Sequence, residues 1–245
     1  MAGSGSRFSN GDRKKLKPLV QLLGRPLIAY TLEALAEANI ETVYAVIGYQ
    51  ADALRSQIES RVPAKIDMRW IDNPHWQLKN GVSALAAARH VSAPFLLSMA
   101  DHLFDSAIVD LLLRASEPDR LNIAIDRKLE SIFDLDDAMK VQMEGEQVVA
   151  IGKDLPHYDA IDTGMFVCPA EIFSYLEAAK INGDCSLADG VRAMARDGLV
   201  RGIDIGSAWW QDIDTSEMLA RAEEHLIAEN RRRAVAVTPE RASMR

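Results

Sequence analysis

The sequence is poor in the features that define several large protein classes. It has only two cysteines, Cys168 and Cys185, and neither stands in a C-x-x-C pair, so neither a zinc site nor a disulfide is predicted. Lysine and arginine number 28 against 36 aspartates and glutamates, a formal net charge of −8 that argues against a general nucleic-acid surface. No apolar run approaches the length of a membrane span, and no secretory segment is recognisable. We therefore expect a soluble, cytoplasmic protein with no stable membrane insertion.

The N-terminal segment contains Gly3 and Gly5, then Arg7, and further on Lys17. Glycine exposes backbone N–H groups with no Cβ in the way, so such a loop can wrap phosphate oxygens, and the helix predicted to follow adds a favourable dipole. Arg7 offers a bidentate fork for phosphate, and Lys17 a mobile point charge. The loop matches neither the P-loop nor the G-x-G-x-x-G pattern. The sequence predicts a phosphate-binding loop, with a flexible N-terminal tail as the alternative.

Apolar periodicity alternates between helix and strand up to about residue 120. The helical pattern PLIAYTLEALAEA precedes the β-branched run TVYAVIGY, and the apolar run APFLLSMA follows two further helices. This rhythm predicts an α/β fold with a doubly wound, mostly parallel sheet. Later, short strands joined by polar turns predict a small antiparallel extension. We expect one domain over residues 1–230, with halves at 1–120 and 121–230, and a flexible tail at 231–245.

Carboxylates stand where an α/β sheet binds its ligands. Asp101 follows the apolar run at 94–100, and the C-terminal end of a parallel strand is the edge that holds ligands in such sheets. Carboxylate oxygens are hard ligands of the kind that Mg²⁺ uses beside substrate phosphates, although a turn-forming aspartate is the alternative. Further on, the sequence from Asp214 to Glu217 has the form of a capping box. Asp214 is therefore predicted to cap the last helix, which leaves Asp212 to face the pocket.

An ordered set of short motifs extends over about residues 2–226. In chain order they read AGSGSR, KPL, GRPLI, NPHWQLKNGVSALAAA, SMADHLFD, AIDRK, AMKV, IGKDLPHYDAIDTGMFV and WWQDIDTSEML. Their order and spacing resemble the nucleotidyltransferases of the sugar-nucleotide pyrophosphorylase type, and within them the inositol-1-phosphate cytidylyltransferase branch. The resemblance implies a Rossmann-like, GT-A-like fold with a nucleotide half at about 1–120 and an acceptor half at about 121–230.

The resemblance also implies a role for the residues in each motif. Catalytic groups are expected at Arg7, Lys17, Asp101 and Asp212, and one Mg²⁺ is expected on Asp101 and Asp212. Nucleotide-binding residues are expected at Ala2, Gly3, Gly5, Asn80, Gly81 and Ser83. Acceptor-binding residues are expected at Lys153 and Asp162 and, as weaker candidates, at Asp126 and Lys140.

Two of these roles keep open alternatives. Ser83 is equally suited to cap a helix or to contact the nucleotide base. Lys153 may hold the acceptor phosphate or be an ordinary surface lysine. His102, beside Asp101, is interpreted as structural, because an acceptor phosphate is already anionic and needs no base.

The reaction implied by the resemblance is transfer of CMP from CTP to inositol 1-phosphate, which gives CDP-inositol and pyrophosphate. Phosphocholine and a sugar 1-phosphate are the alternative acceptors. Phosphocholine stays open because four tryptophans are available to cage its quaternary ammonium. A non-catalytic nucleotide-binding protein is the alternative of another class. In the relatives the product feeds a membrane-bound CDP-alcohol transferase, which here would be a separate chain.

The family's members begin with a hydrophobic strand before the phosphate loop, whereas Met1 stands directly at the loop here. We therefore expect an unfilled strand position in the sheet. A version extended upstream by about six apolar residues, the length of a typical strand, is expected to be more stable and more active.

Overall fold

The computed structural model describes residues 1–3, 16–92 and 94–237, with side chains described as far as residue 232. Its strands are β1 (Gln21–Leu22), β2 (Arg25–Pro26), β3 (Thr42–Ile47), β4 (Asp67–Asp72), β5 (Phe95–Ser98), β6 (His102–Phe104), β7 (Leu121–Asp126), β8 (Lys140–Glu144), β9 (Gln147–Gly152), β10 (Ala160–Cys168), β11 (Val200–Asp204) and β12 (Trp210–Asp212). Its helices are α1 (Leu27–Glu37), α2 (Ala51–Glu59), α3 (Asn80–Ala86), α4 (Ser106–Ala115), α5 (Ile172–Ala179), α6 (Leu187–Arg196) and α7 (Ser216–Val237).

Six strands form the central sheet, in the order β5-β10-β7-β11-β9-β8. β7 and β11 run parallel, whereas β10 is antiparallel to both β5 and β7. Two further pairs lie outside this sheet, β3–β4 in parallel and β6–β12 in antiparallel arrangement. The α/β architecture is therefore as expected, but the sheet is mixed rather than mostly parallel. The reason is β10, which arrives from the antiparallel extension and inserts between β5 and β7 in the opposite direction.

Helices cover both faces of the central sheet. Side chains of a strand point alternately to its two faces, and β7 is buried along its whole length. Ala124 packs in a cluster with α1, α2 and α4, whereas Ile123 and Ile125 pack in a second cluster with α3, α5 and α6. Full burial of each such isoleucine contributes roughly 1.5–3 kcal/mol. The doubly wound arrangement thus rests on apolar residues on both faces of the same strands.

A gap separates β3 from β5. Among the described residues, β3 pairs with β4 and β5 pairs with β10, and no ladder joins the two pairs. A largely apolar cavity of about 1130 Å³ lies there, lined by residues 42–46 of β3 and by all four residues of β5.

The C-terminal helix is longer than the sequence pattern suggested. α7 continues to Val237, so residues 231–237, which were assigned to a flexible tail, are helical. Arginine and alanine are good helix formers, which explains the continuation without an apolar face. Residues 238–245 lie outside the described part of the chain.

Two smaller expectations concern cysteine and the membrane. Cys168 and Cys185 are both buried, free thiols. Within residues 1–3, 16–92 and 94–237, no helix combines the length and apolarity that crossing a bilayer requires.

Candidate active site

A lysine and two aspartates meet beyond the carboxyl end of β5. Lys17 opens a 3₁₀ turn, Asp101 follows β5 by a short connection, and Asp214 follows β12. The ammonium of Lys17 donates to Asp101 Oδ2 at 2.6 Å and to Asp214 Oδ1. The Lys17 side chain is only 10% exposed, so these charge-assisted bonds are shielded from water. They join three segments that are far apart in the sequence.

The helix cap predicted for Asp214 is wrong. α7 begins at Ser216, and Thr215 Oγ1 accepts a hydrogen bond from the backbone N–H of Met218 at 3.2 Å. The cap therefore lies one residue later than the capping-box pattern placed it. This shift frees the Asp214 carboxylate to bind Lys17.

Within this cluster the pKa of Asp101 is lowered, whereas the pKa of the nearby Asp212 is raised. Burial alone would raise the pKa of Asp101, but His102 and Lys17 lower it to about 2. Burial opposes the charge of Lys17, yet Asp101 and Asp214 together raise the pKa of its ammonium. The pKa of Asp212 is raised, first by burial and then by the neighbouring charges of Asp214 and Asp101, although His102 acts in the opposite direction. Asp101 is thus a compensated carboxylate, and Asp212 is not.

The donor set at this point fits a divalent cation. Asp101 and Asp212 are close enough for their negative charges to repel, and a bound cation would relieve that repulsion. Mg²⁺ is commonly held by one or two carboxylates together with substrate phosphates and water. No group of three or more His, Cys, Asp or Glu side chains in the described ranges has a metal-binding arrangement.

A bulge in β10 holds His102 beside Asp101. The ladder between β10 and β7 shifts register between Asp162 and Phe166, and Gly164 within the shift has a φ of 76°. The carbonyl of Thr163 accepts a hydrogen bond from His102 Nδ1 at 2.7 Å, because a carbonyl can only accept. His102 Nε2 then lies 3.7 Å from Asp101 Oδ1.

Gly164 is required for this arrangement. A Cβ at Gly164 would lie 2.5 Å from the His102 ring, closer than any side chain allows. The other side of the ring stacks on Trp210, with 5.7 Å between centroids. His102 is thus fixed on two sides, which agrees with its structural interpretation.

Residues predicted to bind nucleotide divide between the gap cavity and the packing around it. Ala2, Gly3, Asn80 and Ser83 line the cavity of about 1130 Å³, together with Lys17. The carbonyl of Ala2 accepts from the Tyr49 N–H at 3.0 Å, which ties the segment before the loop to the end of β3. Gly5 and Arg7 lie outside the described residues.

Two residues of α3, Asn80 and Ser83, make hydrogen bonds within the protein. Asn80 Oδ1 accepts from the Leu187 N–H at 2.9 Å, which joins α3 to the start of α6. Ser83 lies inside α3, so it is not a cap; its hydroxyl accepts from Asn73 Nδ2 at 3.0 Å.

Gly81 lines neither cavity. A Cβ at Gly81 would lie 2.6 Å from the Cys185 carbonyl oxygen. The glycine therefore allows α3 to approach the chain before α6, and the nucleotide contact at Gly81 stays a prediction.

A second cavity, of about 680 Å³, adjoins the first. The two share Asn80, Met99, Asp101, Leu187 and Asp214. Asp126, Lys153, Asp162 and Asp212 line the second cavity, so four residues predicted in the second half and at its end do come together. Asp101 thus lies where a nucleotide on one side and an acceptor on the other would meet.

Asp126 is an anchor at the wall of this cavity. Its side chain is 3% exposed; Oδ2 accepts from Trp210 Nε1 at 2.9 Å, and Oδ1 accepts from the Lys128 backbone N–H at 2.7 Å. The Lys128 ammonium lies 2.9 Å from Oδ1 and also donates to the carbonyls of Gly206 and Ala208. Sequence reasoning missed Lys128 and Trp210, although the spacing of Asp126 and Lys128 is that of an Asx-turn, in which a carboxylate binds the backbone two residues on.

Lys140 does not line the cavity. Its buried ammonium donates to the carbonyls of Asp136 at 3.1 Å and Lys153 at 2.7 Å. Lys140 therefore fastens the loop before β8 to the end of β9. The ammonium of Lys153, by contrast, reaches the cavity and forms an ion pair with Asp137 from that loop.

Asp162 is held differently from Asp101. Burial raises its pKa to about 6, although the Gly164 N–H, which donates to Oδ1 at 2.7 Å, and the nearby His102 both act to lower it. A raised pKa with a specific neighbour in a cavity is typical of functional carboxylates.

A family model and several curated proteins match this chain. The MobA-like NTP transferase domain matches residues 1–192. The bifunctional IPC transferase and DIPP synthase of Rubrobacter xylanophilus is 32% identical over 228 residues, which cover 92% of this chain and 50% of that protein. The protein of the same name from Thermococcus kodakarensis is 32% identical over 229 residues, 92% of this chain and 49% of that protein. The chain thus spans about half the length of these relatives.

The fold has solved counterparts. The inositol-1-phosphate CTP transferase from T. maritima superposes with a TM-score of 0.81 at 24% identity, over 91% of both chains. A putative glucose-1-phosphate thymidylyltransferase from Bacillus anthracis superposes with a TM-score of 0.78 at 16% identity, again over 91% of both. At these identities the structural likeness establishes the nucleotidyltransferase fold. The family model covers most of the chain, and Lys17, Asp101 and Asp212 lie around the same pair of adjoining cavities. This chain belongs to the MobA-like NTP transferase domain family.

Proposed function

We propose that this chain transfers CMP from CTP to inositol 1-phosphate, giving CDP-inositol and pyrophosphate. The observation that carries the proposal is the position of Asp101 between two adjoining cavities, one lined by Lys17 and the start of the chain and the other by Lys153 and Asp162. The choice of acceptor is supported by the names of the curated relatives, which include IPC transferase.

The chemistry asks for positioning and charge compensation. The acceptor phosphate attacks the α-phosphorus of CTP in line, and pyrophosphate leaves; the acceptor oxygen is anionic at neutral pH, so no general base is needed. Lys17 is placed to stabilise negative charge at the α-phosphate, and Lys153 to hold the acceptor phosphate from the other side. Arg7 and the backbone of Gly3 and Gly5 are proposed to hold the departing pyrophosphate.

Asp101 and Asp212 are the proposed ligands of Mg²⁺. When bound, the ion would neutralise phosphate charge during the displacement. Lys17 already partners Asp101, so it also keeps that carboxylate ionised and oriented toward the shared wall of the two cavities.

The acceptor cavity suits a polyol phosphate better than choline. Of the four tryptophans, Trp209 and Trp210 line it, and their rings stack on His225 and His102 respectively. Each indole therefore has a face already covered, whereas a quaternary ammonium is best held by several free aromatic faces. Carboxylates around the cavity can instead accept hydrogen bonds from ring hydroxyls.

A pyrophosphate-release assay separates these readings. The chain is incubated with CTP and Mg²⁺ and one of three acceptors: inositol 1-phosphate, phosphocholine or glucose 1-phosphate. We expect turnover with inositol 1-phosphate to exceed the others by at least about 10²-fold, a difference that unpaired polar groups in a mismatched site can produce. Binding of CTP without turnover on any acceptor would favour a non-catalytic nucleotide-binding protein, and preferred use of either other acceptor would overturn the inositol assignment.

We further propose that the reaction occurs in the cytoplasm and that a membrane-bound CDP-alcohol transferase consumes the CDP-inositol. The curated relatives carry a second activity in their names, DIPP synthase, and this chain matches about half of their length.

A further inference from the structure

The acceptor cavity has an excess of negative side chains. Among the described residues that line it, eight are aspartate or glutamate and three are lysine or arginine. A phosphorylated acceptor brings two more negative charges near neutral pH, because the second pKa of a phosphate monoester is about 6. A cation that is available to that phosphate is therefore needed on the protein.

The three cations differ in their present partners. The Lys128 ammonium has three partners, Asp126 and the carbonyls of Gly206 and Ala208, which use its three donors. The Arg221 guanidinium lies over the Phe133 ring, 4.5 Å from its centroid, on exposed α7. Lys128 would have to give up these three bonds to bind a phosphate, and Arg221 would have to leave its ring contact.

Lys153 differs from both. Its side chain is 42% exposed and is paired with the carboxylate of Asp137, itself 46% exposed. Exposed ion pairs contribute little stability, so this one is easily exchanged. The backbone on both sides of the pair is nevertheless fixed, because the Lys140 ammonium binds the carbonyls of Asp136 and Lys153. The ion pair itself is thus weak, whereas the backbone positions of its two residues are fixed.

We propose that Asp137 is a displaceable counter-ion of Lys153, which the acceptor's phosphate must replace. This inference rests on the proposed function for the acceptor class, a phosphate monoester. A dianionic phosphate can outcompete a single carboxylate for an ammonium, whereas the hydroxyl of a non-phosphorylated polyol cannot. Asp137 therefore selects phosphorylated acceptors and disfavours free polyols at the same cavity.

The test measures phosphate affinity without turnover. Inorganic phosphate is titrated calorimetrically into the full chain and into Asp137→Asn and Asp137→Ser variants, with no nucleotide present. If Asp137 competes with phosphate, both variants bind phosphate roughly two- to fivefold more tightly, the range that an exposed ion pair accounts for. In a Lys153→Ala background the same substitutions should have no effect.

Asp134→Asn is the matched control. Asp134 lines the same cavity and its removal changes the net charge equally, but its carboxylate accepts from the Asp137 N–H at 3.4 Å and does not pair with Lys153. An equal gain in Asp134→Asn would overturn the proposal in favour of a general charge effect. Unchanged or weaker phosphate binding in both Asp137 variants, including an absence of binding in all proteins, would overturn it as well. Failure of the proposed function is seen separately, as absent turnover with CTP and inositol 1-phosphate.

Discussion

The pKa values of carboxylates on the two sides of the cleft are shifted in opposite directions. On the nucleotide side, Lys17 bridges Asp101 and Asp214, and the pKa of Asp101 is lowered to about 2. On the acceptor side, Asp162 has the backbone N–H of Gly164 as its hydrogen-bond donor, and burial raises its pKa to about 6. The first side is assembled by the protein's own cation, whereas the second leaves negative charge to be met by a ligand or a proton.

This difference suggests a division of labour. A nucleotide triphosphate needs a preformed site whose charges are fixed, because electrostatic preorganisation is what stabilises the transition state. An acceptor pocket must instead discriminate among small phosphates and polyols, which favours groups whose partners can be exchanged. Removing single charges on each side tests how separate the two sides are.

The largest effect is expected from the two proposed Mg²⁺ ligands. Asp101→Asn and Asp212→Asn should each lower kcat on the order of 10²-fold or more, because each removes a major electrostatic contribution to the reacting phosphate. Steady-state kinetics at varied Mg²⁺ concentration measure this. Near-normal turnover of Asp212→Asn would remove it from the proposed metal site.

The Lys17 bridge should come next. Lys17→Ala leaves Asp101 and Asp214 without their cation, so we expect a loss of kcat of about 10²-fold. Asp214→Asn keeps one acceptor oxygen for Lys17 but loses the charge, and should cost about tenfold. This expectation replaces the mild effect that a helix cap would predict.

Thr215→Ala is the control for the Lys17 bridge. Its removal takes away the hydroxyl that caps α7, at a cost of about 1 kcal/mol in unfolding free energy, with little change in kcat. If Thr215→Ala and Asp214→Asn lose activity equally, the separate role of Asp214 is refuted.

A smaller and one-sided effect is expected at Lys153. Lys153→Ala should raise the KM for the acceptor by about tenfold, as loss of a charge-assisted hydrogen bond does, while the KM for CTP stays within twofold. Lys180→Ala, which removes a lysine paired with Glu177 on the surface, serves as the control. An unaltered acceptor KM in Lys153→Ala would show that the phosphate is held elsewhere.

The smallest effect concerns stability and pH. Burial raises the folded-state pKa of Asp162 to about 6, above its ordinary value of 3.8, so this group's contribution to stability is greatest below pH 3.8 and is lost as the pH rises through about 6. Asp162→Asn, which can still accept from the Gly164 N–H, should therefore melt about 2–4 °C higher than the wild type at pH 8.

That advantage should shrink as the pH falls toward 4, because Asp162 is protonated in the folded chain there and already about half protonated in the unfolded chain. Asp101 works in the reverse sense, because its lowered pKa stabilises the fold above pH 3.8 and is lost as the pH falls through about 2. Thermal melts of both proteins between pH 4 and 8 decide the matter; a constant difference across that range would contradict the assignment.

The strand ends and the motif order predict several residues that the structure brings to adjoining cavities, while their roles stay predictions. Asp101 is identified because it follows a short apolar run, and the alternation of helix and strand predicts the doubly wound architecture. What could not be predicted depends on positions that only the folded chain defines. A one-residue shift of the α7 cap moved Asp214 from the helix to Lys17, and the entry direction of β10 made the sheet mixed.

Packing accounts for the remaining differences. Gly81 stands in a motif that suggests ligand contact, and no local pattern indicates the Cys185 carbonyl that approaches it. Lys140 was chosen as a cation for the acceptor, yet its ammonium is used by two backbone carbonyls whose approach no local pattern indicates. Lys128 and Asp137 were missed because lysine and aspartate in polar loops are usually only solvated.

The gap between β3 and β5 has a consequence for the motions of the cleft. The β3–β4 pair is not hydrogen-bonded to the central sheet within the described residues, so the cavity lined by Lys17 and Asp101 is bounded by two sheets instead of one. Two sheets in contact only through side chains can shift relative to each other more easily than strands joined by backbone hydrogen bonds. Amide hydrogens of β3 that point away from β4 should exchange with deuterium far sooner than those of β7, which is paired on both sides. The cavity lined by Lys17, whose charges are fixed by ion pairs, would then have the more mobile of the two backbone frameworks around it.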